Sequence, residues 1–365
     1  MNSPELSGGG AANAREASAR PRGRKLAAGL LALALAGGVA ACGGSSDDSG
    51  GDAEASGGGS GSLDLVAYST PQTVYEEVIQ PAFQETPEGE GVDFSSSFGA
   101  SGDQSRAVEA GQPADFVHLP IEPDITRLVD ADLVSPDYAE EYDYEGKIQD
   151  SVVVFITRPG NPKDITDWDD LLRDDVDVIT PDPFTSGGAR WNIMAAYGQV
   201  IENGGSDEEA LQFVEDMLRN TVVQDASARD SLNTFLGGQG DVALSYENEA
   251  IGAIDAGEEL EYTVPDDTIL IETLGVVPTD AENAETAQAF RDFLISEEGQ
   301  TLFAESGYRP VDERVLAEFE DEFPTPPGLF EIDEFGGWSK VATEFFDPET
   351  GKIAAVESEL GVPLE

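Results

Sequence analysis

Apolar and polar residues follow two alternating periods from Leu63 onward. Leu63–Tyr68 alternates as a strand, and Val74, Val78 and Ala82 recur on one face of a helix over Thr73–Phe83. Val92–Phe98 then reads as a strand, Asp103–Ala110 as a helix, Asp115–Leu119 as a strand and Ile125–Val129 as a helix. Ser151–Arg158 holds an unbroken apolar run, the mark of a strand buried on both faces, and Gly160-Asn161-Pro162 ends it. A second series follows: strand Val176–Thr180, helices Ala189–Ile201 and Leu211–Leu218, and strands Val222–Asp225 and Asp241–Ser245. Thr268–Pro278 is again apolar and strand-like. One long helix is expected over Ala284–Phe303, followed by a loop-rich tail anchored by Phe330, Phe335, Trp338, Phe345 and Phe346. Strands alternating with helices predict an α/β fold of two lobes, and the apolar strands near 151–158 and 268–278 are expected to cross between them. The expected division is 63–154 for the first lobe, 155–270 for the second, and 271–365 for a return segment and tail of the first.

The pattern before Leu63 is different. Basic residues Arg20 to Lys25 precede an apolar run from Leu26 to Ala41. That is the charged and apolar order of an export signal, and the run is short of the roughly 20 apolar residues of a membrane span. Val39-Ala40-Ala41-Cys42 has the form of a lipobox, so residues 1–41 read as a lipoprotein signal and Cys42 as the lipidated residue. Residues 42–62 are almost wholly Gly, Ser, Asp, Glu and Ala, a flexible solvated linker. The expectation is a domain held by its lipid to the outer face of the cytoplasmic membrane.

Composition removes several function classes. The chain has 365 residues, 19 Lys and Arg against 74 Asp and Glu, and a formal net charge of −55. No basic footprint for nucleic acid exists. Cys42 is the only cysteine, so no intramolecular disulfide can form, and His118 is the only histidine. Metal hydrolases and Ser-His-Asp or Cys-His catalysis therefore lack material, and neither a Walker loop nor a dinucleotide fingerprint is present. Neither an enzyme nor a cofactor is expected. The acidity reads as a solvated surface, since its long-range field opposes anion capture.

Four turns nevertheless favour an anion. Tyr68-Ser69-Thr70-Pro71, Gly99-Ala100-Ser101-Gly102, Thr185-Ser186-Gly187-Gly188 and Asp225-Ala226-Ser227-Ala228-Arg229 each leave a strand and open a helix. Helix starts carry unpartnered N–H groups and the positive end of the macrodipole, hydroxyls add donors, and glycine lets a ligand approach the backbone. In open α/β sheets, ligands bind beyond the carboxyl ends of the strands.

At these residues the chain resembles the sulfate/thiosulfate-binding proteins of bacterial ABC importers. Ile179-Thr180-Pro181-Asp182-Pro183-Phe184-Thr185-Ser186-Gly187-Gly188-Ala189-Arg190-Trp191-Asn192 is similar to that family's main motif. Gly99 to Gln104, Tyr246-Glu247-Asn248-Glu249-Ala250, Ser296 to Gln300, Tyr308-Arg309-Pro310 and Phe335-Gly336-Gly337-Trp338 fit its other landmarks. The resemblance spans about Leu65 to Phe346. It implies a type II periplasmic-binding-protein fold, a monomer that closes on sulfate or thiosulfate, and delivery to separate permease and ATPase subunits. It also implies ligand donors at Ser69, at the Ser101 and Ser186 hydroxyls, and at the backbone N–H groups of Gly187, Gly188 and Ala228. Thr70 and Arg229 are implied as supports.

Departures from the family bear on ligand choice. The family's indole donor is replaced by Tyr246, whose hydroxyl can accept as well as donate. Asp103 stands where the family has Lys, and Asp230 where it has Gly. Either carboxylate, facing inward, would supply the acceptor that hydrogen phosphate needs and sulfate does not. Phosphate is therefore an alternative ligand, and molybdate or tungstate is another that the same fold would accommodate.

Overall fold

The computed structural model describes residues 61–362, so the segment read as an export signal, Cys42 and nearly all of the segment read as a linker lie outside the described residues. Ten strands form the frame: β1 (Ser62–Tyr68), β2 (Asp93–Gly99), β3 (Phe116–Leu119), β4 (Lys147–Thr157), β5 (Val178–Ile179), β6 (Thr221–Val223), β7 (Val242–Tyr246), β8 (Glu261–Thr263), β9 (Asp267–Val276) and β10 (Gly328–Phe330). Their order is β2-β1-β3-β9-β4-β7-β5-β6, with β8 beside β4 and β10 beside β9. β1 pairs in parallel with β2 and β3, and β5 pairs in parallel with β6 and β7. Between these parallel groups lie the two long antiparallel strands β4 and β9.

β4 changes partner along its length. Ser151 and Val152 pair with β9, whereas Val153 to Thr157 pair with β7. Its unbroken apolar run has a direct cause. Val153 and Phe155 enter one core with Trp168, Trp191 and Phe213, while Val152, Val154 and Ile156 enter another with Ile179 and Phe235. β1 divides likewise: Leu63, Leu65 and Ala67 join Phe83, Phe116 and Phe290, and Val66 faces Val117 and Leu128. Sheets covered on both faces leave their polar groups at strand ends, where the helices begin.

The first helix runs over residues 72–84, with a π-helical turn at Tyr75–Ile79. The expected helix over Ala284–Phe303 is in fact two, Ala284–Leu294 and Glu297–Glu305. Ser296 breaks it: its backbone is extended and its hydroxyl accepts the Gly299 N–H as an N-cap. The tail is likewise more helical than a loop-rich reading predicts, with helices Glu313–Glu318, Gly337–Phe345 and Lys352–Leu360. Trp338 stacks edge-on against Trp191 at 4.7 Å and Phe345 against Tyr197 at 4.9 Å, which fastens the tail to the helix Gly187–Glu202. Tail residues thus share a core with the segment 155–270. No described helix is long and apolar enough to cross a membrane.

Candidate functional site

Ser69 and Thr70 follow β1, Ala100 and Ser101 follow β2, Ala228 lies beyond β6, and Tyr246 ends β7. Ser186 precedes the helix Gly187–Glu202. Each lies beyond the carboxyl end of a parallel strand, and the fold folds all of them inward. Ser69, Thr70, Ser101, Ser186, Ala228 and Tyr246 are buried, as are Gly187 and Gly188.

Close approach leaves no ready room for a side chain at Gly187 and little at Gly188. A Cβ at Gly187 would lie 2.8 Å from Cγ of Pro120 and 2.9 Å from the Ser101 Oγ. At Gly188 it would lie 3.3 Å from the Ser186 Oγ, 3.3 Å from the Ala228 Cβ and 3.6 Å from the Tyr246 Oη. Three of the expected donor residues therefore converge on the bare backbone of Gly188.

The two halves of the site touch through hydrogen bonds with a definite direction. Gly187 N–H donates to the Ser101 Oγ at 2.8 Å, and Gly102 N–H donates to the Thr185 carbonyl at 3.1 Å. Arg229 N–H donates to the Ser69 Oγ at 3.4 Å. The Trp191 indole donates to the Pro120 carbonyl at 2.7 Å. Ser101 and Ser69 thus each accept from a backbone N–H of the opposite half. The expectation that Gly187 N–H faces a ligand is modified: in this arrangement it is directed at Ser101. Ser186 sits at the N-cap position of its helix, yet its hydroxyl makes no capping bond there.

Behind these turns stands an ion-pair frame. Arg229 grips Glu249 through two bonds, 2.9 Å from Nε and 2.6 Å from Nη2, and Nη2 also donates to the Thr70 carbonyl at 2.7 Å. Burial pushes the Glu249 carboxyl up, and Arg229 partly offsets this. Two residues earlier, Glu247 accepts from Nε of Arg309 at 2.8 Å with both side chains buried. Arg309 exchanges both backbone hydrogen bonds with Asp150 of β4. Asn248 accepts from the Ser151 hydroxyl at 2.8 Å. The role of the acidic pair was missed by sequence reasoning, although the segment Tyr246 to Glu249 was its signal.

The two aspartates turn away from the site. Asp103 is exposed and pairs with Arg106 at 2.6 Å. Asp230 accepts the Ser227 hydroxyl at 2.7 Å in a first-turn capping contact and is also exposed. His118 is fully buried between the Tyr75 hydroxyl, 2.8 Å from Nδ1, and Thr273 Oγ1, 2.9 Å from Nε2. Burial holds its pKa down at about 3, so it is a neutral core residue. Among the described residues no group of three His, Cys, Asp or Glu is placed to hold a metal ion.

The arrangement presents neutral donors at strand ends and keeps charge one layer back. Similarity to known proteins points the same way. The family model for bacterial extracellular solute-binding proteins matches residues 63–309. The sulfate-binding protein of Synechococcus elongatus is 40% identical over 322 residues, which cover 84% of this chain and 89% of that one. The thiosulfate-binding protein of Pseudomonas aeruginosa is 36% identical, over 77% of this chain and 88% of that one. The solved structure of the sulfate-binding protein SubI from Mycobacterium tuberculosis H37Rv matches with a TM-score of 0.76 and 42% identity, over 78% of this chain and 99% of that chain. The chain therefore belongs to the bacterial extracellular solute-binding proteins, in the group of the sulfate- and thiosulfate-binding proteins, a non-enzymatic class of two-lobed type II periplasmic-binding-protein fold.

Proposed function

We propose that this chain captures sulfate, or thiosulfate, outside the cytoplasmic membrane and hands it to an ABC importer. The observation that carries the reading is the direction of the bonds at Ser69 and Ser101. Each hydroxyl accepts a backbone N–H, so its own proton remains for an outside acceptor. The Ser186 hydroxyl and the N–H groups of Gly188 and Ala228 add donors to the same space. Gly187 N–H, now on Ser101, is shared with the anion when it enters. A fully ionised sulfate offers only acceptors, which suits such a set, and helix N-termini favour its charge. Because donors come from both halves, the anion binds the closed form better than the open one, which is the condition for closing on it.

In this reading residues 63–154 form the first lobe and 155–270 the second; residues from 271 return to the first lobe through Phe290 and Phe303, while Trp338 and Phe345 of the tail pack beside the second. Cys42 carries the lipid, residues 43–62 are the tether, and the protein works as a monomer beside separate membrane and ATPase subunits. Calorimetric titration of the purified full-length protein with sulfate tests the ligand. Ser186→Ala is expected to weaken binding by about 1–3 kcal/mol, as for a lost hydrogen bond to a charged group, and an unchanged affinity refutes its role.

A further inference from the structure

We infer that the Tyr246 hydroxyl is a specificity-determining group that lets this site take a tetrahedral oxyanion carrying one proton as well as a fully ionised one. The inference rests on the proposed anion site and concerns which way its hydrogen bonds run.

Backbone N–H groups can only donate. The Ser69 and Ser101 hydroxyls each accept a backbone N–H, which takes up one lone pair and turns the proton towards a ligand. Tyr246 carries no such bond. Its side chain is 1% exposed, and its Oη is buried with no hydrogen-bond partner. It is also the polar atom, with the Ser186 Oγ, that faces the bare face of Gly188. A buried hydroxyl left without a partner costs free energy that a ligand can recover. Burial, reinforced by Tyr68, Glu249 and Asp124, holds the phenol far above its ordinary pKa, so it stays a neutral hydroxyl. Such a group can donate to an anionic oxygen or accept from a ligand O–H. A site of N–H donors alone would leave that O–H unpaired.

The hydroxyls of Thr70, Ser231 and Ser245 are also buried without partners, but none of them is among the atoms that meet Gly188. The other rival acceptors are carboxylates. Asp103 is held by Arg106 and Asp230 by Ser227, and both are exposed. Glu249 and Glu247 are committed to Arg229 and Arg309. Two buried carboxylate oxygens near the turns lack partners, Oδ2 of Asp124 and Oδ2 of Asp225. The other oxygen of Asp124 meets Arg127 at 3.3 Å, and that of Asp225 accepts from Thr234 at 3.1 Å. Neither aspartate is among the atoms that converge on Gly188.

The experiment titrates the full-length protein with sulfate and with inorganic phosphate at pH 8, where phosphate carries one proton. The wild type is expected to bind both. Tyr246→Phe should weaken both by about tenfold or more. Tyr246→Trp, which restores an N–H donor but no acceptor, should recover sulfate alone and leave phosphate weaker by roughly a hundredfold. Asp124→Ala and Asp225→Ala, which leave no side-chain acceptor, should retain phosphate, and thermal melting reports whether each variant is folded. If Tyr246→Trp does not fold, phosphate binding that survives both alanine variants and falls in Tyr246→Phe carries the inference. Wild type that binds sulfate but ignores phosphate overturns it and leaves the proposed function standing, as does phosphate affinity unchanged in Tyr246→Phe. Phosphate binding lost in a folded alanine variant instead assigns the acceptor to that carboxylate and overturns it too. A wild type silent to both sulfate and thiosulfate overturns the proposed function itself, and the inference with it.

Discussion

Glu247 and Glu249 stand two residues apart at the start of one helix, each buried and each paired with an arginine, yet they do different work. Glu247 holds Arg309, whose side chain is 6% exposed and whose backbone bridges to Asp150 of β4. That pair fastens the return of the chain to a strand that lies between the two parallel groups. Glu249 holds Arg229, which is 27% exposed, bonds the Thr70 carbonyl and starts a helix beside the site. One pair is sealed structure, and the other is a strut between ligand turns with water at its edge. Helical spacing explains the division: residues two apart point to different sides of a helix, so adjacent acids in a motif reach separate partners.

The sharpest way to break the comparison is to remove each arginine's charge partner or the arginine itself. Arg309→Met leaves Glu247 buried without its cation, so stability should fall by about 3–5 kcal/mol in urea unfolding. The protein that remains folded should bind sulfate as before. A loss below 1 kcal/mol would mean that the pair is not sealed.

His118 supplies the buried group that was never charged. Its folded pKa, about 3, lies below the unfolded value, so the unfolded chain takes up a proton that the native core refuses. Its contribution is neutral near pH 7 and increasingly unfavourable as pH falls below the unfolded pKa towards the folded one. Between pH 7 and pH 5 the wild type should lose about 2 kcal/mol more than His118→Gln does. Parallel loss in both proteins would show that the imidazole is not desolvated.

Glu249→Gln sharpens the contrast from the other side. Arg229 can turn partly to water, so the stability cost should be smaller, about 1–2 kcal/mol. Sulfate affinity should fall with it, because the Thr70 and Ala228 turns lose their strut. Reduced stability with unaltered affinity would make the pair purely structural. At the exposed extreme, Asp103→Asn removes the partner of Arg106 and should change stability by about 0.5 kcal/mol or less. It should not alter the sulfate-to-phosphate preference, and a shift in that preference would place Asp103 in the site.

Much of this was legible in the sequence. The alternation at Leu63–Tyr68 and the unbroken apolar run at Ser151–Arg158 both announced strands, the second one buried on both faces. The turns at Ser69, Ser101, Ser186 and Ala228 were legible as helix starts because hydroxyls and glycines at strand ends have a local purpose. The break at Ser296 was not. Phe290, Phe293 and Leu294 continue a helical stripe towards Phe303, and a single capping serine interrupted it. The tail also concealed its helices, which are short and gain their stability by packing Trp338 and Phe345 on a distant helix.

The sequence by itself determined the α/β alternation, the strong excess of acidic residues, the scarcity of cysteine and histidine, and the residues that open each helix. These depend on composition and on neighbours within a few positions. Only the tertiary structure decided the direction of the hydrogen bonds at Ser69 and Ser101, the outward turn of Asp103 and Asp230, the separate partners of Glu247 and Glu249, and the unpartnered hydroxyl of Tyr246. The bonds at Ser101 and Ser69 join groups 86 and 160 residues apart in the chain, and in all of these cases the removal or retention of water makes each pairing, or its lack, matter.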